Sequence, residues 1–362
     1  MKKVFLIVLV TLMVSSCRKD NEETDLYFPP DGSTEWETVT PASLGWNIAG
    51  ITDLNTFLEN SGTRAFIILK GGKIVIEEYF NTQLDGHPFT RSSNWYWASA
   101  GKTLTSMLTG IAQNQGYLDI DNKTSDYLGT GWSSLTALQE NRITVKHQLT
   151  MTTGLDDGVA DNHCYDPSCL VYLADAGTRW AYHNGPYTLL DEVIANSTGE
   201  DFSTYFNEQL RDKAGMDGFW SWVDNDHVYF STARSAARFG LLILNRGKWN
   251  NTEILADKEY FAQMTSTSQN LNPSYGYLWW LNGKGSYMMP ESQIVIHTDL
   301  APSAPDDMIA AMGKNGQLIN IVPSEELVVV RLGDNPDGYA VPSGFQEDLW
   351  KKIINIIRYA II

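Results

Sequence analysis

Cysteine is scarce: three in 362 residues, at positions 17, 164 and 169. That excludes a disulfide-dense scaffold. Positive charge is scarce too. There are 26 Lys and Arg against 43 Asp and Glu, a net charge of −17. Proteins that hold nucleic acid gather cations on one face, so no nucleic-acid partner is expected. No internal repeat or low-complexity segment stands out. Hydrophobic content of 43% with 19% charged residues excludes a disordered chain and allows a substantial core.

The N-terminus reads as an export signal. Lys2 and Lys3 precede the apolar run Val4 to Val14, which is too short to cross a bilayer comfortably. The run ends in Ser15-Ser16-Cys17. Small residues before a cysteine resemble the lipobox of bacterial lipoproteins, where cleavage leaves a lipidated N-terminal cysteine. An ordinary secretory signal with an incidental cysteine is the alternative. The expectation is a signal over 1–17, a lipid on Cys17 and a flexible tether over 18–41. The bacterial membrane would then be a partner, with the protein exported to the periplasm or cell surface. Export implies an oxidising compartment, so Cys164 and Cys169, closing a short loop, are expected to form a disulfide. A metal reading would recruit His163 and Asp166 beside them, but no second ligand cluster exists to complete it.

Two pairs of β-rich segments bracket the chain. Ala65 to Lys70 and Lys73 to Phe80 flank Gly71-Gly72, a hairpin signal. Gln317 to Val322 and Leu327 to Leu332 flank Pro323-Ser324-Glu325. Phe345 to Ile357 and Thr232 to Leu244 read as helices. The expected class is α/β of the α+β kind, with one antiparallel sheet flanked by helices (about 42–120 and 290–362). A mostly helical lobe (121–289) would complete the domain, with the active site between the lobes.

Chemistry concentrates in Trp97-Ala98-Ser99-Ala100-Gly101-Lys102. Three helical residues turn about 300°, so Ser99 and Lys102 would share one face. A serine hydroxyl needs a base, and lysine serves as one only when burial or nearby positive charge lowers its pKa. The residues that follow, Leu104, Met107, Leu108, Ile111 and Ala112, keep a helical period up to Gly116, so Lys102 would begin a buried helix. A capping serine with a surface lysine fits the same spacing. A second candidate is Tyr182-His183-Asn184, with a proton-relaying phenol and an orienting amide. The third is Gly313-Lys314-Asn315-Gly316, whose backbone N–H groups could hold an oxyanion. A loop tyrosine and a strand-entry turn are the plainer readings of these two.

Taken in order, Ser99-x-x-Lys102, Tyr182-x-Asn184 and a late glycine-containing strand resemble the serine β-lactamase and penicillin-binding-protein superfamily. The likeness is closest to its class C and esterase branch and covers roughly residues 45 to 360. It implies a β-lactamase-like fold and an acyl-enzyme on Ser99, with Lys102 taking the serine proton. Tyr182 would share the base role and protonate the leaving group, and Asn184 would orient Lys102 and the substrate amide. The N–H groups of Ser99 and Lys314 would form the oxyanion hole, with Asn315 and Gly316 beside the substrate. The resemblance implies no metal and no organic cofactor.

Penicillin-recognising members carry K-T-G or H-x-G on the late strand. This chain has Met312-Gly313-Lys314-Asn315-Gly316 there and no S-D-N. The departure resembles the esterase and 6-aminohexanoate-oligomer hydrolase branch. The expected function is therefore an exported serine hydrolase acting on a small-molecule or peptide-like ester or amide. A β-lactamase or D-Ala-D-Ala carboxypeptidase is the alternative enzyme, and a binding protein that kept the fold is the non-catalytic alternative. Trp95, Tyr96, Trp97, Trp180, Trp279 and Trp280 are expected as core and cleft wall. His147, His183 and His297 are expected to be structural or peripheral.

Overall fold

A computed structural model describes residues 26–338 and 343–358. Its strands include β1 (Thr63–Lys70), β2 (Lys73–Tyr79), β3 (Trp95–Tyr96), β4 (Phe219–Val223), β5 (Asp226–Ser231), β6 (Trp280–Leu281), β7 (Ile309–Gly313), β8 (Gln317–Val322) and β9 (Leu327–Gly333). Its helices include α1 (Ile48–Asn60), α2 (Lys102–Asn114), α3 (Asn184–Thr188), α4 (Leu190–Thr198), α5 (Ala233–Leu244) and α6 (Ser343–Ile357).

The two expected hairpins join in one antiparallel sheet of order β2-β1-β9-β8-β7-β6. Ile67 faces Val330, and Val330 faces Ile319. Strands β8 and β9 are buried along their whole length, so their residues are mostly apolar on both faces and do not alternate, with Gln317, Asn320 and Arg331 as buried polar exceptions. Helix α5 closes one face. Its Gly240 lies so near the sheet that an added Cβ would sit 2.4 Å from Val328 Cγ1. Helices α1 and α6 pack together, with Phe57 stacked on Phe345 at 5.4 Å. The sheet is thus a helix–sheet–helix sandwich.

Two expectations about organisation need correction. Helix α5 lies within 121–289 yet packs on the sheet, and β6 from the same stretch forms the sheet's edge. Within that stretch, β5 and β4 form a second small sheet with β3. Of the tether expected over 18–41, the described part, 26–41, is ordered. Tyr27 N–H donates to Gly71 O at 3.0 Å, and Trp36 Nε1 donates to Gly72 O at 2.8 Å. Val39 N–H donates to Ile74 O, and Ile74 N–H donates to Glu37 O. The segment therefore lies along β2, because that edge strand offers unpaired backbone groups. Gly72 permits the contact, since a Cβ there would meet Tyr27 O at 1.9 Å. Residues 1–25, with the signal and Cys17, lie outside the described residues, as do 339–342 and 359–362.

Candidate active site

Ser99 sits in a 3-10 turn, Ala98–Gly101, that runs directly into α2. The turn is braced from two sides. Trp97 N–H donates to Tyr229 O at 2.8 Å, and Trp97 Nε1 donates to Ser231 Oγ at 2.8 Å. The end of β7 presses on the other side, where a Cβ on Gly313 would lie 2.4 Å from Trp97 O. Glycine is needed there for close approach. Ala98 adopts a left-handed φ of 47°, a conformation that costs a non-glycine residue about 1–2 kcal/mol. The strain sits one residue before the serine.

Lys102 opens α2 and is only 5% exposed. Burial pulls its pKa from 10.5 to about 8, against the opposing pull of Asp226 and Asp191. Its ammonium lies 3.7 Å from the ring centre of Tyr187 and 5.7 Å from that of Tyr182. Tyr182 stacks on Trp280 at 6.1 Å with 16° between planes. Burial raises the Tyr182 phenol, and a hydrogen bond from Ser99 only partly offsets that. The phenol is therefore held in its neutral form and not as a resident phenolate. Tyr187, which sequence reasoning missed, is fixed by its hydroxyl at 3.1 Å from Thr105 Oγ1.

A cleft of about 200 Å³ gathers Ser99, Tyr182 and Asn184 with Lys314, Gly313, Trp280, His163, Asp226 and Glu291. Of the expected substrate contacts, Asn184 and Lys314 reach this cleft. Asn315 and Gly316 do not line it. Asn315 Nδ2 donates to Tyr96 Oη at 2.8 Å, and Gly316 O accepts from Arg331 Nη1 at 3.1 Å. Both residues take positive φ, which shapes the turn after β7. Arg331 holds this turn from beneath and was not foreseen; a lone arginine in an apolar strand was the available signal.

The expected disulfide is present, with Cys164 and Cys169 Cα atoms 5.9 Å apart. Its loop carries His163 into the cleft wall, where Nδ1 lies 2.7 Å from Asp226 Oδ1. That pairing engages the histidine that a metal reading would have recruited. His183 is buried, and burial lowers its pKa to about 4. Trp95, Trp97, Trp180, Trp279 and Trp280 are all buried, as core and cleft wall. A larger hollow of about 710 Å³, lined by Trp36, Arg234 and Arg238 among others, holds none of the candidate site residues.

A model of the Beta-lactamase family matches residues 57–337, a span that contains the whole cleft. The chain belongs to the beta-lactamase family. Members of this fold family are generally serine hydrolases, and the braced Ser99 turn beside a buried lysine is consistent with that chemistry. Among relatives, a Bacillus subtilis (strain 168) protein named as a penicillin-binding protein is 25% identical over 179 residues. That match takes in 46% of this chain and 43% of the relative, so this chain spans less than half of the relative it matches. Among solved structures, a Bacillus anthracis protein named as a 6-aminohexanoate-dimer hydrolase superposes with a TM-score of 0.67 at 18% identity. The superposition covers 91% of this chain and 89% of that one. A class C beta-lactamase from Rhodobacter sphaeroides gives 0.57 at 18% identity, over 85% and 100% of the two chains. At these identities the likeness speaks for the fold alone.

Proposed function

We propose that the chain hydrolyses an ester or a linear amide through an acyl-enzyme on Ser99. The observation that carries this reading is the buried Lys102, one helical turn from Ser99, with a pKa near 8. Near neutral pH a useful fraction of it is the free amine, which is what a serine needs. Ser99 Oγ attacks the acyl carbon as its proton passes to Lys102 Nζ. The Tyr182 phenol gives its proton to the leaving oxygen or nitrogen and recovers one from Lys102. The backbone N–H groups of Ser99 and Lys314 receive the oxyanion. Water then attacks the acyl-enzyme by the reverse proton route and frees Ser99.

Ester or linear amide is favoured over a β-lactam or D-Ala-D-Ala peptide by the charge around the cleft. Asp226 and Glu291 line it against the ammonium of Lys314. Two carboxylates beside the Lys314 ammonium oppose a substrate whose own carboxylate lies one carbon from the scissile amide nitrogen, as in a β-lactam or a D-Ala-D-Ala peptide; in a linear 6-aminohexanoate dimer five methylenes separate the two. The test runs a short-chain p-nitrophenyl ester, a linear 6-aminohexanoate dimer and a chromogenic cephalosporin against wild type and Ser99→Ala. Serine-dependent turnover of the ester or dimer with an inert cephalosporin is expected. Serine-dependent cephalosporin turnover would reverse the substrate reading. Equal rates for wild type and Ser99→Ala throughout would leave a binding protein.

We further propose that the protein is exported and anchored by a lipid on Cys17, which the Lys2-Lys3, apolar-run and Cys17 pattern supports. Cys17→Ser should move the protein from the membrane fraction to the soluble one. Unchanged retention argues for another anchor.

A further inference from the structure

Strand β4 closes its small sheet with one edge open. The order is β3-β5-β4, so β5 covers one side of β4 and no described strand pairs with the other. Val223 pairs with Asp226 across the two-residue turn Asp224-Asn225. The closing pair of such a hairpin exchanges both of its backbone hydrogen bonds, and bonded and non-bonded pairs alternate from there. Phe219, Ser221 and Val223 therefore spend their N–H and C=O groups on β5, and Trp220 and Trp222 point theirs outward. Among the described residues no loop or side chain takes these outward groups. Open edges are commonly blunted by a lysine, a proline or a bulge. Phe219-Trp220-Ser221-Trp222-Val223 has none of these, and its register against β5 is unbroken. Phe219, Trp222 and Val223 are 51%, 49% and 48% exposed. Large apolar side chains on a bare strand make a template for another strand.

We propose that β4 is a homodimer interface: two copies of this chain pair their β4 strands antiparallel about a twofold axis at Ser221, joining the two small sheets into one. The inference is independent of what Ser99 does. The strand is self-complementary in that register. Trp220 faces Trp222 of the second copy, and Phe219 faces its Val223, so every outward N–H and C=O of both strands finds a partner. An axis at Trp220 or Trp222 instead sets one outward residue against Gly218 or Asp224, outside the strand. Charge supports the same register, which places Gly218 opposite Asp224 of the second copy. Arg211 Nη1 donates to Gly218 O at 3.4 Å, so a guanidinium already stands there. Its neighbour Asp212 takes Nε and Nη2, each at 2.8 Å, and leaves Nη1 on the Gly218 side. Asp224, at the hairpin tip, has no hydrogen-bond or ion-pair partner among the described residues. The twofold axis supplies the Arg211–Asp224 contact twice, and each apolar contact twice as well.

The experiment traps the register in the full chain. Cys17→Ser leaves only Cys164 and Cys169, which are bonded to each other. In that background Ser221→Cys should form a covalent dimer on copper–phenanthroline oxidation. A non-hydrogen-bonded antiparallel pair holds its Cβ atoms about 4.5–5.5 Å apart, close enough for a disulfide. Val223→Cys alone should not cross-link, because the axis sets its two copies about 14 Å apart along the strands. Phe219→Cys with Val223→Cys should cross-link again. Equal yields from Ser221→Cys and Val223→Cys, or no dimer from either Ser221→Cys or the double variant, overturn the proposal. Sedimentation velocity then follows the same Cys17→Ser protein without cross-links. It should pass from dimer to monomer on dilution from about 100 µM to about 1 µM, the range of a small reversible interface. Adding Ser221→Glu sets two like charges at the axis and should leave a monomer. Adding Asp224→Asn, which tolerates the left-handed φ of 52° there, should weaken the dimer severalfold. A protein that is monomeric throughout overturns the proposal, as does a dimer that Ser221→Glu leaves intact.

Discussion

Two buried cations separate the reactive part of this molecule from the part that holds it in place. Arg331 is wholly buried in β9, and Lys102 is nearly so at the start of α2. Burial lowers the pKa of both, to about 9 for the arginine and about 8 for the lysine. Their surroundings differ. The Arg331 guanidinium donates to the carbonyls of Asn315, Gly316, Ser61 and Asp334 and to Thr63 Oγ1, and its flat face lies 4.9 Å from the Phe345 ring centre. Lys102 has the face of Tyr187, a weaker compensation for a lost hydration shell. Full hydrogen bonding makes Arg331 a clamp. Partial compensation leaves Lys102 ready to give up its proton. Burial alone does not mark a catalytic group; burial without matching acceptors does.

The comparison breaks most sharply at Lys102. Lys102→Met should lower kcat/KM by about 10²–10⁴, the usual contribution of a positioned base. Its stability in urea should be unchanged or higher, since methionine fills the site without a poorly compensated charge. A variant that loses both activity and stability would mean the lysine is structural. Arg331→Met should do the opposite. It orphans several buried acceptors, each worth about 1–3 kcal/mol, so unfolding free energy should fall by at least about 3 kcal/mol. Activity should fall only as far as the turn carrying Lys314 loosens. A neutral effect on the urea midpoint would remove the distinction.

Linkage between pH and folding separates the two sites again. A lysine whose folded pKa lies near 8 and whose unfolded pKa is 10.5 binds fewer protons when folded between those values. Its destabilising effect is therefore full below about pH 8 and is relieved as pH rises toward 10.5. The stability gap between wild type and Lys102→Met should narrow over that window. Wild-type kcat/KM should climb through the same pKa as the free amine forms. A gap independent of pH would show that Lys102 is not the group that titrates.

Much of this was legible in the sequence, where local chemistry decides structure. Gly71-Gly72 and Pro323-Ser324-Glu325 mark hairpins by turn geometry, and the run from Leu104 to Ala112 marks α2 by its period. Ser99, Tyr182 and Asn184 meet in the cleft, with Lys102 buried beside the first two. What stayed hidden depends on distant partners. Residues 26–41 look like linker because their composition is polar and Pro-rich, yet Tyr27 and Trp36 dock on carbonyls of the β1–β2 turn. Asn315 and Gly316 read as oxyanion neighbours because glycine-flanked turns serve there. Arg331 and Tyr96, far away in sequence, take their polar groups instead. His163 and Asp226 are 63 residues apart, and neither sits in a pattern that announces the other.

Asp226 offers the finest adjustment of the comparison, because its charge acts on Lys102 and its carboxylate meets His163. It is the first of two carboxylates that raise the Lys102 pKa against burial, the other being Asp191. Asp226→Asn removes that charge while keeping an oxygen that can accept from His163 Nδ1. The lysine should then lose its proton more easily, so the rising limb of kcat/KM against pH should move to lower pH by a fraction of a unit. The direction follows from the sign of the charge and the small size from the cleft's access to water, which screens it. Raising ionic strength should shrink the wild-type to Asp226→Asn difference. A limb that moves to higher pH instead would mean that the asparagine has rearranged the wall and not merely discharged it.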